Sequence, residues 1–282
     1  MRMLFLKVKK ITYDFKYLMK NLSTMSLSQV QGIKFILTDI DDTLTSYGRL
    51  NSSTYAAIER LSGKGYIIIP VTGRCAGWCD HIARMWPVDG VIGENGAFFF
   101  SYDHMSKKMN NSYKQTKKER ERNFALLNQL KSKILDQVPG TAVASDQEYR
   151  ITDLAIDFAE DVAKLPEIKI KKIVQIAEKN GANAKISSIH VNCWIGTHTK
   201  LTTSLNILKE NFGLSDKEIQ NNVIFIGDSP NDSSMFGFFK NSIGVANVVD
   251  LIDNIDNPPK YITSNFSGDG FIEFADFVIN NK

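Results

Sequence analysis

Three short stretches combine residue types that can do phosphate and cation chemistry. The first is Asp39-Ile40-Asp41-Asp42-Thr43, directly after the apolar run Ile33–Leu37. In extended chain, residues i and i+2 point the same way, about 6.5–7 Å apart. Asp39 and Asp41 are thus expected to face one crevice, where two carboxylates repel unless a cation or a shared proton intervenes. The second is Thr72-Gly73-Arg74 after Tyr66–Val71. A hydroxyl, a close backbone N–H and a helix start make a phosphate-binding turn. The third is Gly227-Asp228-Ser229-Pro230-Asn231-Asp232 after Val223–Ile226. Asp228 and Asp232 can reach a common hard cation, with Asn231 and Ser229 as neutral oxygen donors. Taken singly, each stretch also reads as ordinary turn chemistry. The conjunction carries the argument, because each turn ends a buried strand, and open parallel sheets bind ligands at the carboxyl ends of their strands.

Strand-like runs at 33–39, 66–71, 88–92 and 223–227 alternate with helical spacing at 54–62, 75–85 and 201–212, which predicts a parallel sheet with crossover helices. The middle differs. Leu127, Leu130, Ile134, Leu135 and Val138 share a helical face, whereas Leu154, Ile156 and Phe158, and then Ile189, Val191, Cys193 and Ile195, alternate as in strands with one covered face. The predicted architecture is one α/β core interrupted by an inserted α+β module. Its expected divisions are an N-terminal extension 1–31, core 32–105, inserted domain 106–196 and core 197–282.

The 282 residues are long enough to bury a core without staples. Hydrophobic residues at 43% and charged residues at 23% are ordinary soluble composition and exclude a collagen, a disulfide mini-protein or a wholly disordered chain. No apolar run approaches a membrane span. Three cysteines without framework spacing suit a reducing, cytoplasmic setting. Cys75, Cys79 and His81 lack a second ligand pair at a zinc-like spacing, so core thiols are expected. The net charge of +3 is uneven: residues 1–20 carry +5 and residues 107–133 carry +7, which leaves −9 elsewhere. An acidic core of that sign suits a bound divalent cation. The basic run Lys114–Arg122 lacks interleaved aromatic residues and reads as a solvated helix face rather than a nucleic-acid surface.

In order and spacing, Asp39-x-Asp41-x-Thr43, Thr72-Gly73-Arg74, Lys200 and Gly227-Asp228-x-x-Asn231-Asp232 resemble the haloacid dehalogenase (HAD) superfamily of phosphohydrolases. The insertion between Thr72 and Lys200, together with Gly93-Glu94-Asn95-Gly96-Ala97, is similar to the large-cap subfamily IIB. That branch holds Cof-type phosphatases, sucrose- and trehalose-phosphate phosphatases and phosphomannomutase. The resemblance implies a Rossmann-like core with an inserted cap and a Mg2+-dependent phosphatase acting on a small phosphorylated metabolite, a sugar phosphate above all. It implies Asp39 as nucleophile and Asp41 as acid/base. Mg2+ would be held by Asp39, the Asp41 carbonyl, Asp228 and Asp232, and phosphate by Thr72, Gly73 and Lys200. Arg74, Asn95, Arg150, His190, Asn192 and Asn231 are candidates for substrate contact. His190, Asn192 and Trp194 alternate against the apolar side of the last cap strand, so that face either closes over substrate or is plainly solvated. The rival functions are a phosphomutase and a non-catalytic binding protein. The sequence leaves the oligomeric state open.

Overall fold

The computed structural model describes residues 19–282. The basic N-terminal run expected to be an extension therefore lies mostly outside the described residues. Among the described residues there are thirteen strands: β1 Lys20–Asn21, β2 Phe35–Thr38, β3 Ile67–Pro70, β4 Val91–Gly93, β5 Phe98–Asp103, β6 Lys108–Tyr113, β7 Ala142–Val143, β8 Asp153–Asp157, β9 Asn183–Ile186, β10 His190–Trp194, β11 Val223–Gly227, β12 Asn241–Gly244 and β13 Tyr261–Ile262. The chain divides into two compact units. One comprises residues up to Val71, Trp86–Asp89 and Leu205–Lys282; the other comprises Thr72–Met85 and Gly90–Ser204. No helix among the described residues is long and apolar enough to cross a membrane.

The first unit is built on a parallel sheet in the order β1-β13-β12-β11-β2-β3. Its central strands are near-continuous apolar runs because helices cover both faces of such a sheet. All five residues of β11 are buried, as are Ile36 and Leu37 of β2. Phe225 packs on Phe236 and Phe239 at ring-centroid distances of 5.4 and 6.4 Å. Residues 19–31 belong to this unit instead of trailing from it. β1 pairs with β13, and a capping box of Ser26 and Gln29 starts the helix Leu27–Gly32. Leu22, Met25 and Val30 are buried. The stretch shows no periodicity in the sequence because it contributes single anchors from three short elements.

The second unit holds two antiparallel sheets, β4-β5-β6 and β7-β8-β10-β9. The run at 88–92 was expected to continue the parallel sheet, but β4 pairs antiparallel with β5. The turn Glu94–Gly96 folds the chain straight back, which leaves no length for a crossover helix. The basic segment divides between a strand and the expected solvated helix. Lys108–Tyr113 is an edge strand on the aromatic β5, with Phe98, Phe100 and Tyr113 in mutual ring contact, and the helix Lys117–Gln137 begins only after the Thr116–Glu119 capping box. By internal contact the compact units part at 71/72, 85/86, 89/90 and 204/205.

The four-stranded sheet buries one face under the helices Lys117–Gln137 and Glu167–Lys179. Leu127, Leu130, Ile134, Leu154, Ile156, Ile173, Val191 and Cys193 form that core. Ile156→Ala is expected to lower stability by about 2–5 kcal/mol, read from the midpoint of urea denaturation.

His198 stacks on Trp194 at 5.9 Å, and Trp194 Nε1 donates to the His198 carbonyl. Burial, with the Lys114 charge adding to it, pushes the imidazole down to about 4. Between an unfolded value near 6.5 and that value, the unfolded chain binds a proton that the native state refuses. Native stability should therefore fall as pH drops from about 6.5 to 4, by up to ~3 kcal/mol. His198 Nε2 is buried without a hydrogen-bond partner, so His198→Phe keeps the stacking and loses little. Thermal unfolding of this variant across pH 4–7 should show a flatter profile than that of the parent.

Candidate active site

The first half of the site follows from strand register. β2 and β11 are adjacent and parallel, with Ile226 opposite Thr38. Asp39 follows β2, and its N–H donates to the Ile226 carbonyl at 2.8 Å. Asp228 follows β11. Neighbouring strands lie about 4.8 Å apart, so the two carboxylates start from adjacent strand ends. Asp232 joins them by folding back, accepting hydrogen bonds at Oδ2 from the N–H groups of Asp228 and Ser229. Gly227 permits this, because a Cβ at that position would occupy the space of the Asp232 carboxylate. The result is three buried carboxylates, Asp39, Asp228 and Asp232, each with an oxygen within 4.8 Å of the others. At that range each ionised pair repels by roughly 3 kcal/mol at an effective dielectric near 20. A set of hard anionic oxygens held together against such repulsion fits a hard dication.

Asp41 is placed differently from the expected i, i+2 alternation. Extended chain ends at Thr38, and the Ile40 carbonyl accepts from the N–H groups of Thr43, Leu44 and Thr45. Asp41 therefore sits half-buried in a tight turn in which Asp42 has a φ of 53°. Its carboxylate is not one of the three that converge. Thr43 Oγ1 donates to Asp228 Oδ1 at 3.2 Å, which ties the turn to the acidic cluster. Asn231 is also in this unit, with Oδ1 accepting from Ser229 Oγ.

In the second unit a single turn organises the remaining candidates. Glu94 and Asn95 both adopt left-handed backbone, with φ of 44° and 55°. Non-glycine residues there are strained, and such strain persists only where surroundings enforce it. The enforcing contacts are visible. Asn95 N–H donates to the Thr72 carbonyl and Glu94 N–H to the Arg74 carbonyl. The buried Glu94 carboxylate accepts from the N–H groups of Ala76, Ile151 and Thr152 and from Thr152 Oγ1. Desolvation, followed by Asp153, pushes this carboxyl up to about 7. The turn thus clamps the Thr72–Arg74 segment and the start of the helix Ala76–Met85. Gly96, with φ of 107°, lets the chain at Thr199 and Lys200 pass against it, where a Cβ would collide with the Thr199 carbonyl. Thr203 Oγ1 donates to the Gly96 carbonyl at 2.6 Å. Thr72, Gly73 and Lys200 are therefore all anchored to one rigid turn. Lys200 is 3% exposed, which is not the solvated side chain that a lysine at a helix start usually is.

The proposed substrate contacts fall into two groups. Arg150 is enclosed. Its Nε and Nη2 donate to the two oxygens of Asp146, and Nη1 donates to Asp153 and to the Gly73 carbonyl. It was expected to reach substrate; its side chain is instead fully buried and engaged in holding Gly73. Asn192 Nδ2 donates to Asp153, and its Oδ1 borders the space above Gly73, as does Asn95. Asn95 Nδ2 is buried with no hydrogen-bond partner. The second group is Arg74 and His190, which share Glu160: Arg74 Nη1 lies 3.1 Å from Oε1 and His190 Nε2 lies 2.8 Å from Oε2. The His190 contact, aided by Arg74, holds the Glu160 carboxyl down at about 2. Arg74 also lies over the Trp78 ring at 4.4 Å. The polar face of β10 is thus not solvated. His190, Asn192 and Trp194 are all buried, His190 against Glu160, Asn192 against Asp153 and Trp194 against His198.

Sequence reasoning missed Glu94, Glu160 and Asp153 as members of these networks. Glu94 carried a usable signal, an acidic residue beside Asn-Gly in a sharp turn. Glu160 had none, because its partners are 86 and 30 positions away. Cys75 and Cys79 are buried thiols, with Cys75 pushed up to about 11 chiefly by burial, in keeping with the expected core role.

Comparison with known proteins agrees with this geometry. Residues 36–274 match the haloacid dehalogenase-like hydrolases. The chain is similar to a phosphoglycolate phosphatase of Methanosarcina mazei, 28% identical over 253 residues, covering 88% of this chain and 97% of the relative. Among solved structures, a Thermoplasma acidophilum protein aligns with a TM-score of 0.66 at 17% identity, covering 88% of this chain and 98% of that one. A HAD subclass IIB sugar phosphatase aligns with a TM-score of 0.59 at 15% identity, over 88% of this chain and all of the other. A parallel sheet with converging acids, an inserted antiparallel module and a family match across most of the length lead to one assignment: the chain belongs to the haloacid dehalogenase-like hydrolases and is an enzyme of the phosphoric monoester hydrolase class.

Proposed function

We propose that the protein hydrolyses a small phosphorylated metabolite, of the sugar phosphate type, through an aspartyl-phosphate, with Mg2+ as cofactor. The observation that carries this reading is the convergence of Asp39, Asp228 and Asp232 at the ends of adjacent parallel strands. The donor set fits Mg2+, which prefers carboxylate oxygens. Asp39, Asp228 and Asp232, with the Asp41 carbonyl, would hold the ion. When bound, it would screen the negative charges of carboxylate and phosphate from each other.

The steps fall to the chain's own residues. An Asp39 oxygen forms a bond to phosphorus while the bond from phosphorus to the substrate oxygen breaks. Asp41 gives its proton to the departing oxygen. Asp41 then takes a proton from water, whose oxygen attacks phosphorus and releases inorganic phosphate and free Asp39. Thr72, the Gly73 N–H and Lys200 would bind the non-bridging phosphate oxygens, whose charge is redistributed during transfer. Their anchoring to the Glu94–Gly96 turn supports this role, because positioning supplies most of the catalysis in phosphoryl transfer.

Two substrate classes compete. The curated relative acts on phosphoglycolate, which carries a carboxylate. In this chain Arg74 and His190 both face Glu160, so that cluster already contains its own carboxylate. This favours a hydroxyl-rich leaving group, with Asn95 and Asn192 as amide partners, over a second anion. A phosphomutase would return the phosphoryl group to the sugar, and an assay for free phosphate separates the two.

Asp39→Asn is expected to lower turnover of 4-nitrophenyl phosphate by at least 10³-fold, and a chelator should abolish it reversibly. Unchanged turnover by the purified variant would remove the nucleophile assignment. Asn192→Ala and His190→Ala should each lower kcat/KM for the best sugar phosphate about tenfold or more, with a smaller effect on the aryl phosphate. A wild-type preference for 2-phosphoglycolate in a phosphate-release screen would overturn the sugar assignment.

A further inference from the structure

We propose that Asn247 is a positioning residue that fixes Asp228 for cation binding. It rests on the reading above, in which the three converging acids hold a dication.

One amide joins three distant segments. Asn247 Nδ2 donates to Asp228 Oδ2 and to the Asp42 carbonyl, both at 3.0 Å. Its Oδ1 accepts from the Ser267 N–H at 2.8 Å. Asp42 lies in the turn that carries Asp41, and Ser267 opens the last helix, Ser267–Asn280. Both Asp42 and Ser267 have left-handed backbone, with φ of 53° and 50°, so two strained turns meet at one side chain.

The chemistry is specific to an amide. The end facing the carboxylate and the carbonyl must donate; the end facing the helix must accept. A helix start has N–H groups without intrahelical partners, and Oδ1 satisfies one of them. A fixed Oδ1 fixes the opposite Nδ2 and therefore the pose of Asp228. Thr43 Oγ1 holds the other oxygen, Oδ1, of Asp228. With a donor on each oxygen, the carboxylate has a defined rotation. Groups that orient ligands in this way typically change metal affinity by 10–100-fold when removed.

The test measures the metal directly. Mn2+ is titrated into the full-length protein without substrate and free Mn2+ is followed by electron paramagnetic resonance. Asn247→Ala should raise the Mn2+ dissociation constant about 10–100-fold. Ser46→Ala is the control: Ser46 Oγ accepts from the Gly268 N–H at the same helix start without touching Asp228. It should cost stability in the presence of chelator and leave the Mn2+ constant within about twofold. Should the alanine variant fail to fold, Asn247→Ser is measured instead, since its short hydroxyl cannot span both ends. An unchanged constant in the folded Asn247 variant, or an equal shift in Ser46→Ala, overturns the positioning role. Failure of the parent protein to bind Mn2+ would instead sink the cation reading on which it stands.

Discussion

Repulsion between carboxylates is the constraint on which the first unit depends. Asp39, Asp228 and Asp232 are buried within a few ångströms of one another. Nothing about an isolated Asp-rich turn would hold such a group together, since each pair costs several kcal/mol in a low-dielectric setting. The fold imposes the arrangement through elements that have no charge. Adjacent parallel strands, locked by the pairing of Ile226 with Thr38, deliver two acids to one edge. The absent side chain of Gly227 makes room for the third. Backbone N–H groups of Asp228 and Ser229 hold it there. Apolar burial of β2 and β11 thus provides the free energy that keeps the acids close.

The second unit solves a different problem, that of keeping a short loop rigid. Thr72 and Gly73 lie between a strand and a helix, where backbone is usually mobile. Here Arg150 reaches from 77 positions away to hold the Gly73 carbonyl, and Asp146 and Asp153 hold Arg150. Glu94 satisfies N–H groups on two segments at once. Buried networks of this kind are costly when incomplete and rigid when complete. Their reach explains why left-handed conformations at Glu94 and Asn95 are tolerated: the strain of two residues is offset by contacts with residues 72–76 and 151–152. The same logic accounts for the complete burial of the Arg150 side chain. All three of its nitrogens are engaged in this network.

Charge is also balanced locally within the second unit. A basic pair, Arg74 and His190, would by itself suit an acidic substituent. Glu160 places one oxygen on each of them. Two polar amides, Asn95 with an unpartnered Nδ2 and Asn192, border Gly73 beside this cluster.

Local pattern alone was enough for the three strand-end motifs, the parallel core, the inserted α+β module and the apolar side of β10, because these depend on residue type and period. Val191 and Cys193 alternate into the core and His190, Asn192 and Trp194 away from it whatever lies beyond. Tertiary structure decided what pattern cannot carry. The run at 88–92 became a hairpin because of a turn three residues long, and Leu22, Met25 and Val30 proved to be anchors because distant strands reached them. The polar face of β10 proved buried because Glu160, Asp153 and His198 lie against it. Asn247, Glu94 and Glu160 meet their hydrogen-bond and charge partners, tens to hundreds of positions away, only in the folded chain. A hydrogen bond has no sequence period; it exists only when folding brings a donor and an acceptor within about 3 Å.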